Sequence, residues 1–260
     1  MNFFLPVFLL ALFVTGCSDG KHHLSGYIEG EYTYIASGVS GTLFNLFVQR
    51  GQVISKDTLL YKLDPEPEKA STEATQANIA DLQAQTAFAK LQYERQHTLY
   101  AKQATPKASL DQAQTDFSSK SQQLAATQAD YIQSHWALAQ KTMSAPVSGQ
   151  VFDVFFRVGE KVQANTPVLA ILAPENIKVL FYVPEALLSQ LTLNQEIHFS
   201  CDHCKRTAAT ISYISPEAEY TPPVIYSKDT RDKLVYLVRA SIPADTAKHF
   251  HPGQPIDIDL

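Results

Sequence analysis

The chain is 260 residues long, with 45% hydrophobic and 18% charged residues and a formal net charge of -5. That negative balance, without any run of Lys or Arg, argues against nucleic acid as a partner. The length suffices for two or three modest modules.

Phe3 to Val14 is an apolar run of about a dozen residues, too short for a bilayer span of about twenty but suited to the core of a signal peptide. It ends in Val14-Thr15-Gly16-Cys17, which resembles a bacterial lipobox. The resemblance implies a signal peptide over 1–16, cleavage before Cys17, lipid attachment to Cys17, and an N-terminal lipid-anchored segment over 17–37.

The next signal is a repeat. Val39-Ser40-Gly41-Thr42-Leu43-Phe44 aligns without a gap on Val147-Ser148-Gly149-Gln150-Val151-Phe152, 108 positions later, and Phe47, Gly51, Thr58 and Leu60 align on Phe155, Gly159, Thr166 and Val168. Each copy reads as a short strand, with Leu43, Asn45 and Phe47 on one side and Phe44, Leu46 and Val48 on the other. A Gly-centred turn and a second strand follow, Leu59 to Leu63 or Val168 to Leu172. A piece this small with a bare apolar face cannot stand alone, so the halves, 38–64 and 145–173, are expected to pack as one sandwich.

Residues 65–144 lie between them. From Glu66 to Lys102 there is no Gly and one Pro, Pro67, where a first helical turn tolerates it. Ala70, Ala77, Ala84, Leu91 and Thr98 fall seven apart, as do Leu110, Phe117, Leu124, Tyr131 and Leu138 on a return leg. Two such stripes joined at Gln103-Ala104-Thr105-Pro106-Lys107 predict an antiparallel coiled-coil hairpin. At about 1.5 Å per residue each leg reaches about 50 Å. Neither leg carries a His/Asp/Ser or paired-carboxylate constellation at helical spacing, and no catalytic role is expected.

The half-repeats resemble the biotinyl/lipoyl motif, but the hairpin that carries the modifiable Lys in true carriers is replaced by the helical insertion. A split lipoyl-like domain of this kind resembles the HlyD-type periplasmic adaptors, or membrane fusion proteins. The resemblance implies a homo-oligomeric subunit that links an inner-membrane transporter to an outer-membrane TolC-like channel, with no cofactor and no enzymatic activity. The tip frame of the adaptors matches Arg95, Leu99 and Leu110-Asp111-Gln112-Ala113, while Pro106 stands where they carry Ser and Ser109 lies close by. The implied channel-docking residues are Arg95, Leu99, Pro106 and Ser109.

Residues 174–260 read as strands over Ile177 to Val183, Glu196 to Cys201, Thr207 to Ile214, Leu234 to Ser241 and Ile256 to Leu260, with a short helix near Pro184 to Leu191. This spacing suggests a small antiparallel barrel, a module that adaptors also carry after the lipoyl-like domain. Many adaptors add a membrane-proximal domain, and either that module is absent here or Lys21 to Ser37 supplies a remnant. The Pro-rich, aromatic stretch from Tyr213 to Tyr226 is expected as a loop. It resembles a stretch in adaptors of ABC-type exporters.

Cys201-Asp202-His203-Cys204 is the one motif that invites redox or metal chemistry. With Cys17 lipidated, the remaining pair is expected as a disulfide in an oxidising compartment. A zinc site needs four ligands and only His198 and His203 are local, so no metal is expected. Two other readings stay open: an envelope coiled-coil scaffold lipoprotein without a transport role, and a thiol oxidoreductase working through Cys201 and Cys204.

Overall fold

The computed structural model describes residues 23–202, 204–220 and 234–260. Two compact units emerge: one runs from Glu31 to Asn176, the other joins the strand ending at Gly30 to Ile177–Leu260.

The first unit contains the repeat. In chain order its strands are β2 (Thr33–Ala36), β3 (Gly41–Leu46), β4 (Val53–Ile54), β5 (Leu59–Leu63), β6 (Thr142–Ser144), β7 (Gly149–Val154), β8 (Lys161–Val162) and β9 (Pro167–Leu172). They form two four-stranded sheets, β2-β9-β7-β4 and β6-β5-β3-β8. Each half lends its small strand to the other. Gly41 pairs with Val162 on β8, and Gly149 pairs with Ile54 on β4. The turns repeat in the same way: the Gly51 amide donates to Val151 O and the Gly159 amide to Leu43 O, both at 2.8 Å. Gly51 and Gly159 have φ of 84° and 95°, and Asp57 and Asn165 have φ of 66° and 61°, so the left-handed positions also recur 108 apart.

The expected alternation along β3 does not hold. A register shift between Leu43 and Asn45, matched by one between Val151 and Asp153, inserts a bulge at Phe44 and at Phe152. A bulge adds one residue to one strand and breaks the two-residue period. Leu43 and Val48 are therefore buried together while Phe44, Asn45 and Phe47 all face solvent. The core consists of Leu43, Leu60, Leu63, Val151, Val162, Val168, Leu169 and Ile171, each fully buried, with Ile35 and Ile54 beside them.

Between β5 and β6 rise α1 (Glu66–Ala101) and α2 (Lys107–Ala139). On α2 the expected stripe of Leu110, Phe117, Leu124, Tyr131 and Leu138 is the half-buried one, and Phe117 stacks against Tyr93 with ring centroids 6.0 Å apart. On α1 the stripe expected from Ala70, Ala77, Ala84, Leu91 and Thr98 is exposed throughout. The seam instead uses Thr72, Ile79, Thr86 and Tyr93 with Thr75, Leu82, Ala89 and Gln96. Two stripes with the same seven-residue repeat coexist on this helix, and packing against α2 selects the one carrying Ile79, Leu82 and Tyr93. The seam is partly polar: Thr86 Oγ1 donates to Lys120 O at 3.2 Å, and Lys120 Nζ donates to Gln85 Oε1 at 2.7 Å.

The second unit is a closed barrel in the order β1-β10-β13-β12-β11-β14, with every neighbouring pair antiparallel. Its strands are β1 (His23–Gly30), β10 (Ile177–Pro184), β11 (Glu196–Ser200), β12 (Thr207–Tyr220), β13 (Leu234–Ser241) and β14 (Pro255–Asp259). The segment 17–37, expected as the lipid-anchored segment, and Lys21 to Ser37 within it, expected as a domain remnant if that module is present, are divided in their described residues. Residues 23–30 close the barrel between β10 and β14, and residues 33–36 edge the sandwich. Gly26 suits this place, because a Cβ there would meet Leu180 O at 2.5 Å and Phe181 Cβ at 2.9 Å. Ile28, Val179, Phe181, Val183, Phe199, Ile211, Val238 and Ile258 fill the interior. The helix expected over Pro184 to Leu191 is one turn, α3 (Glu185–Leu188), and another turn, α4 (Ala244–Ala247), precedes β14.

Two further differences concern β12. It continues to Tyr220 through an irregularity between Ile214 and Ala218, so the first part of the Pro-rich stretch is strand rather than loop. Residues 221–226 of that stretch lie outside the described residues, as do Cys17 and residues 1–16, expected as a signal peptide.

Candidate functional site: the helical hairpin

The hairpin turns at Lys102 to Pro106. Gln103 takes φ 58°, and the Ala104 amide donates to Leu99 O at 2.9 Å, which closes the end of α1. Pro106 is extended (φ -66°, ψ 151°) and caps α2, and the Ser109 amide donates back to Pro106 O at 3.1 Å. Leu99 is half-buried, whereas Arg95, Pro106 and Ser109 are exposed. Thr105 Oγ1 donates to Gln96 Oε1 at 3.1 Å and ties the turn to α1.

Of the four residues expected at a docking tip, Ser109 lines a shallow groove of about 720 Å³ between the distal halves of the legs; Arg95, Leu99 and Pro106 are not part of its wall. Gln85, Gln92 and Gln96 from α1 and Gln112, Asp116 and Lys120 from α2 share that wall, with Phe88 standing 63% exposed beside them. The heptad stripes and the tip frame did not include these glutamines. On α1 their spacing of seven and four residues, which keeps Gln85, Gln92 and Gln96 on one helix face, was the available signal.

At the root of the hairpin a second feature went unread. Lys141, just beyond α2, is 2% exposed. Its Nζ lies 2.8 Å from Glu68 Oε1, in the first turn of α1, and donates to Ser40 O at 2.9 Å. Ser37 Oγ donates to Gln140 O at 3.0 Å. Tyr61, fully buried in β5 with no partner for its hydroxyl, has its phenol pushed up to about 12 by burial.

Cys201 and Cys204 are joined by a disulfide across the turn between β11 and β12, and Gln254 Nε2 donates to Cys201 Sγ at 3.0 Å. Both flanking elements are strands, so neither sulfur sits at the helix N-terminus that would lower a thiol pKa. Among the described residues there is no group of three or more His, Cys, Asp or Glu arranged for a metal, and no helix long and apolar enough to cross a membrane.

A sandwich of two swapped halves, opened between them by a long hairpin, is the arrangement that the comparisons recognise. The family model for the barrel-sandwich hybrid domain of RND membrane fusion proteins matches residues 31–173, more than half of the chain. The chain belongs to the membrane fusion protein family. A UPF0194 membrane protein from the asrC 5′ region of Acidithiobacillus ferridurans is 26% identical, over 92% of this chain and 89% of the relative. Among solved structures, the membrane fusion protein Spr0693 from Streptococcus pneumoniae R6 superimposes with a TM-score of 0.70 at 17% identity, covering 92% of this chain and 99% of that one. MacA from Actinobacillus actinomycetemcomitans gives a TM-score of 0.63 at 18% identity, over 92% and 78% of the two chains. At such identities the likeness to the solved structures is one of fold, and it takes in the hairpin and the second unit as well as the sandwich. For this membrane fusion protein the hairpin tip and groove are the candidate docking surface.

Proposed function

We propose that this membrane fusion protein is a lipid-anchored periplasmic adaptor, held to the inner membrane through Cys17, that links an ABC-type transporter to an outer-membrane TolC-like channel. The observation that carries this reading is the hairpin. Legs of 36 and 33 residues project from the sandwich and end in a compact, solvent-exposed turn, a form suited to reaching a distant partner. No catalytic step belongs to the reading. The ABC assignment rests on the Tyr213 to Tyr226 stretch, and co-purification of the transporter discriminates it from the RND class named in the family model.

Self-association fits the same reading. The exposed α1 stripe, Ala77, Ala84 and Leu91, lies off the seam with α2, with Phe88 between it and the groove, and α2 carries its own exposed stripe of Ala125, Ala129, Ile132 and Trp136. Two different apolar edges on one hairpin suit a head-to-tail contact, which closes into a ring when the rotation allows. Hairpins joined in this way form a sleeve.

Photo-crosslinkers placed at Leu99 and Ser109 in cells test the docking role. Adducts with an outer-membrane channel are expected, together with impaired export by Arg95→Ala. Arg95→Ala should melt within about 1 kcal/mol of wild type, since exposed charges contribute little. Absence of channel adducts, with full export by the Arg95→Ala, Leu99→Ala double variant, would remove the tip from the docking site.

A further inference from the structure

Buried Lys141 and half-buried Glu68 pair where three segments of the first unit meet. Glu68 belongs to the first turn of α1, Lys141 follows the last turn of α2, and Ser40 O belongs to the loop that enters β3. A carboxylate in the first turn of one helix and a cation after the last turn of the other each complement the local helix dipole. Glu68 Oε2 is buried with no hydrogen-bond partner. A packed apolar pair is often as stable as a buried ion pair or more so, whereas an ion pair fixes direction, since both charges lose their compensation when the partners separate.

The repeat sharpens the point. The positions equivalent to Lys141 and Glu68 in the other half are Thr33 and Asn176, neither of which is ionisable. The pair is therefore a local addition to the repeated design at the end where the hairpin leaves. Trp136 reinforces it: a Cβ on Gly38 would meet the Trp136 ring at 3.2 Å, so the indole lies close against the chain between β2 and β3.

We infer that Lys141 and Glu68 are positioning residues that key the direction of the hairpin relative to the sandwich, beyond whatever they contribute to stability. Leverage makes the role consequential, since a pivot of about 10° at the root moves the tip of a leg about 54 Å long by about 9 Å. The inference does not depend on which channel or transporter the protein meets.

The test measures direction and stability separately. A ketone-bearing amino acid at Ala104 in the tip and at Lys56 on the sandwich, both exposed, takes spin labels in the full-length protein without touching its cysteines. Pulsed dipolar spectroscopy then gives the tip-to-sandwich distance distribution. In the volume-conserving double variant Lys141→Met, Glu68→Leu the distribution is expected to widen about twofold, as for a loosened hinge, with cooperative melting retained. Glu68→Gln, which keeps shape and removes the charge, is expected to widen it in the same direction. A wild-type width in the double variant overturns the inference, because packing alone would then aim the hairpin. Widening accompanied by loss of cooperative melting overturns it too, as general loosening. If the double variant does not fold, Glu68→Gln is judged by the same two criteria.

Discussion

The two halves of the sandwich share a backbone and differ in what covers it. Bulges, Gly turns, left-handed residues and the strand exchange all recur at a spacing of 108, yet the outer faces diverge. In the second half, Tyr32 packs on Phe152 with ring centroids 4.1 Å apart and Tyr34 on Phe155 at 6.3 Å, and Ala170 on the central strand is fully buried. The equivalents in the first half are Gln140 and Thr142 in place of the tyrosines and Lys62 in place of Ala170. Phe44 is accordingly 62% exposed against 41% for Phe152. Shared turn and bulge residues dictate the repeated framework, and the side chains added around it decide what each end can carry.

The widest expected gap lies between Lys141 and its counterpart. Lys141→Ala leaves the half-buried Glu68 carboxylate without its cation and should cost about 3 kcal/mol, the low end for a broken buried pair, whereas Thr33→Ala should cost under about 1 kcal/mol. Urea titration of both variants measures the difference, and equal midpoints would show that the ion pair contributes no more than a hydroxyl.

Next come the two glycines that open the halves. A Cβ on Gly149 would collide with the backbone O of Leu172, which cannot move without disturbing β9, while one on Gly41 would meet the terminal Nζ of Lys141 at 2.9 Å and Leu63 Cβ at 3.2 Å. Gly149→Ala should therefore destabilise by about 3 kcal/mol, and Gly41→Ala by about 1 kcal/mol, through overpacking. Reversal of that order in melting experiments would mean that Lys141 is less able to yield than the β9 backbone.

Truncating the equivalent aromatics separates covered from bare. Phe152→Ala forfeits the ring contact with Tyr32 and should cost about 1 kcal/mol more than Phe44→Ala. The difference should vanish once Tyr32 is also replaced by Leu, as a double-mutant cycle would report.

The smallest effect is at Tyr61, whose equivalent in the second half is Leu169, both fully buried. Tyr61→Phe removes a hydroxyl without a partner and should be neutral or stabilising by up to about 1 kcal/mol. Because the folded-state pKa, about 12, stands above the ordinary value of 10.0, the wild type should lose stability as pH rises from 10 towards 12. Below pH 10 the phenol is neutral in both states and contributes no slope. Chemical denaturation at pH 9 and pH 11 should show this loss in the wild type reduced in Tyr61→Phe.

Legibility in the sequence followed how local each determinant was. The repeat was plain because turns and bulge sites recur in residues a few positions apart, and the hairpin because long Gly-free helices with a stripe on α2 have no other use for that spacing. The α1 seam was not, since Ala70, Ala77, Ala84 and Leu91 form as regular a stripe as Thr72, Ile79, Thr86 and Tyr93, and only contact with α2 distinguishes them. The tip frame placed Arg95, Leu99, Pro106 and Ser109 around one turn, but the groove that Ser109 shares with Gln96 and Gln112 depends on both legs at once.

The sequence by itself determined the split domain, the helical insertion, the Cys201–Cys204 pairing and the family, because each rests on residues close in the chain or on a literal repetition. Only the tertiary structure decided that His23–Gly30 closes the barrel, that Phe44 and Phe152 bulge outward, and that Lys141 is buried against Glu68. The physical reason is sequence separation. Gly26 meets Phe181 and Ile256 from far along the chain, and Lys141 finds Glu68 only because two helices return to the same root. A short polar strand and a lone lysine carry no local mark of the partners that make them part of a core.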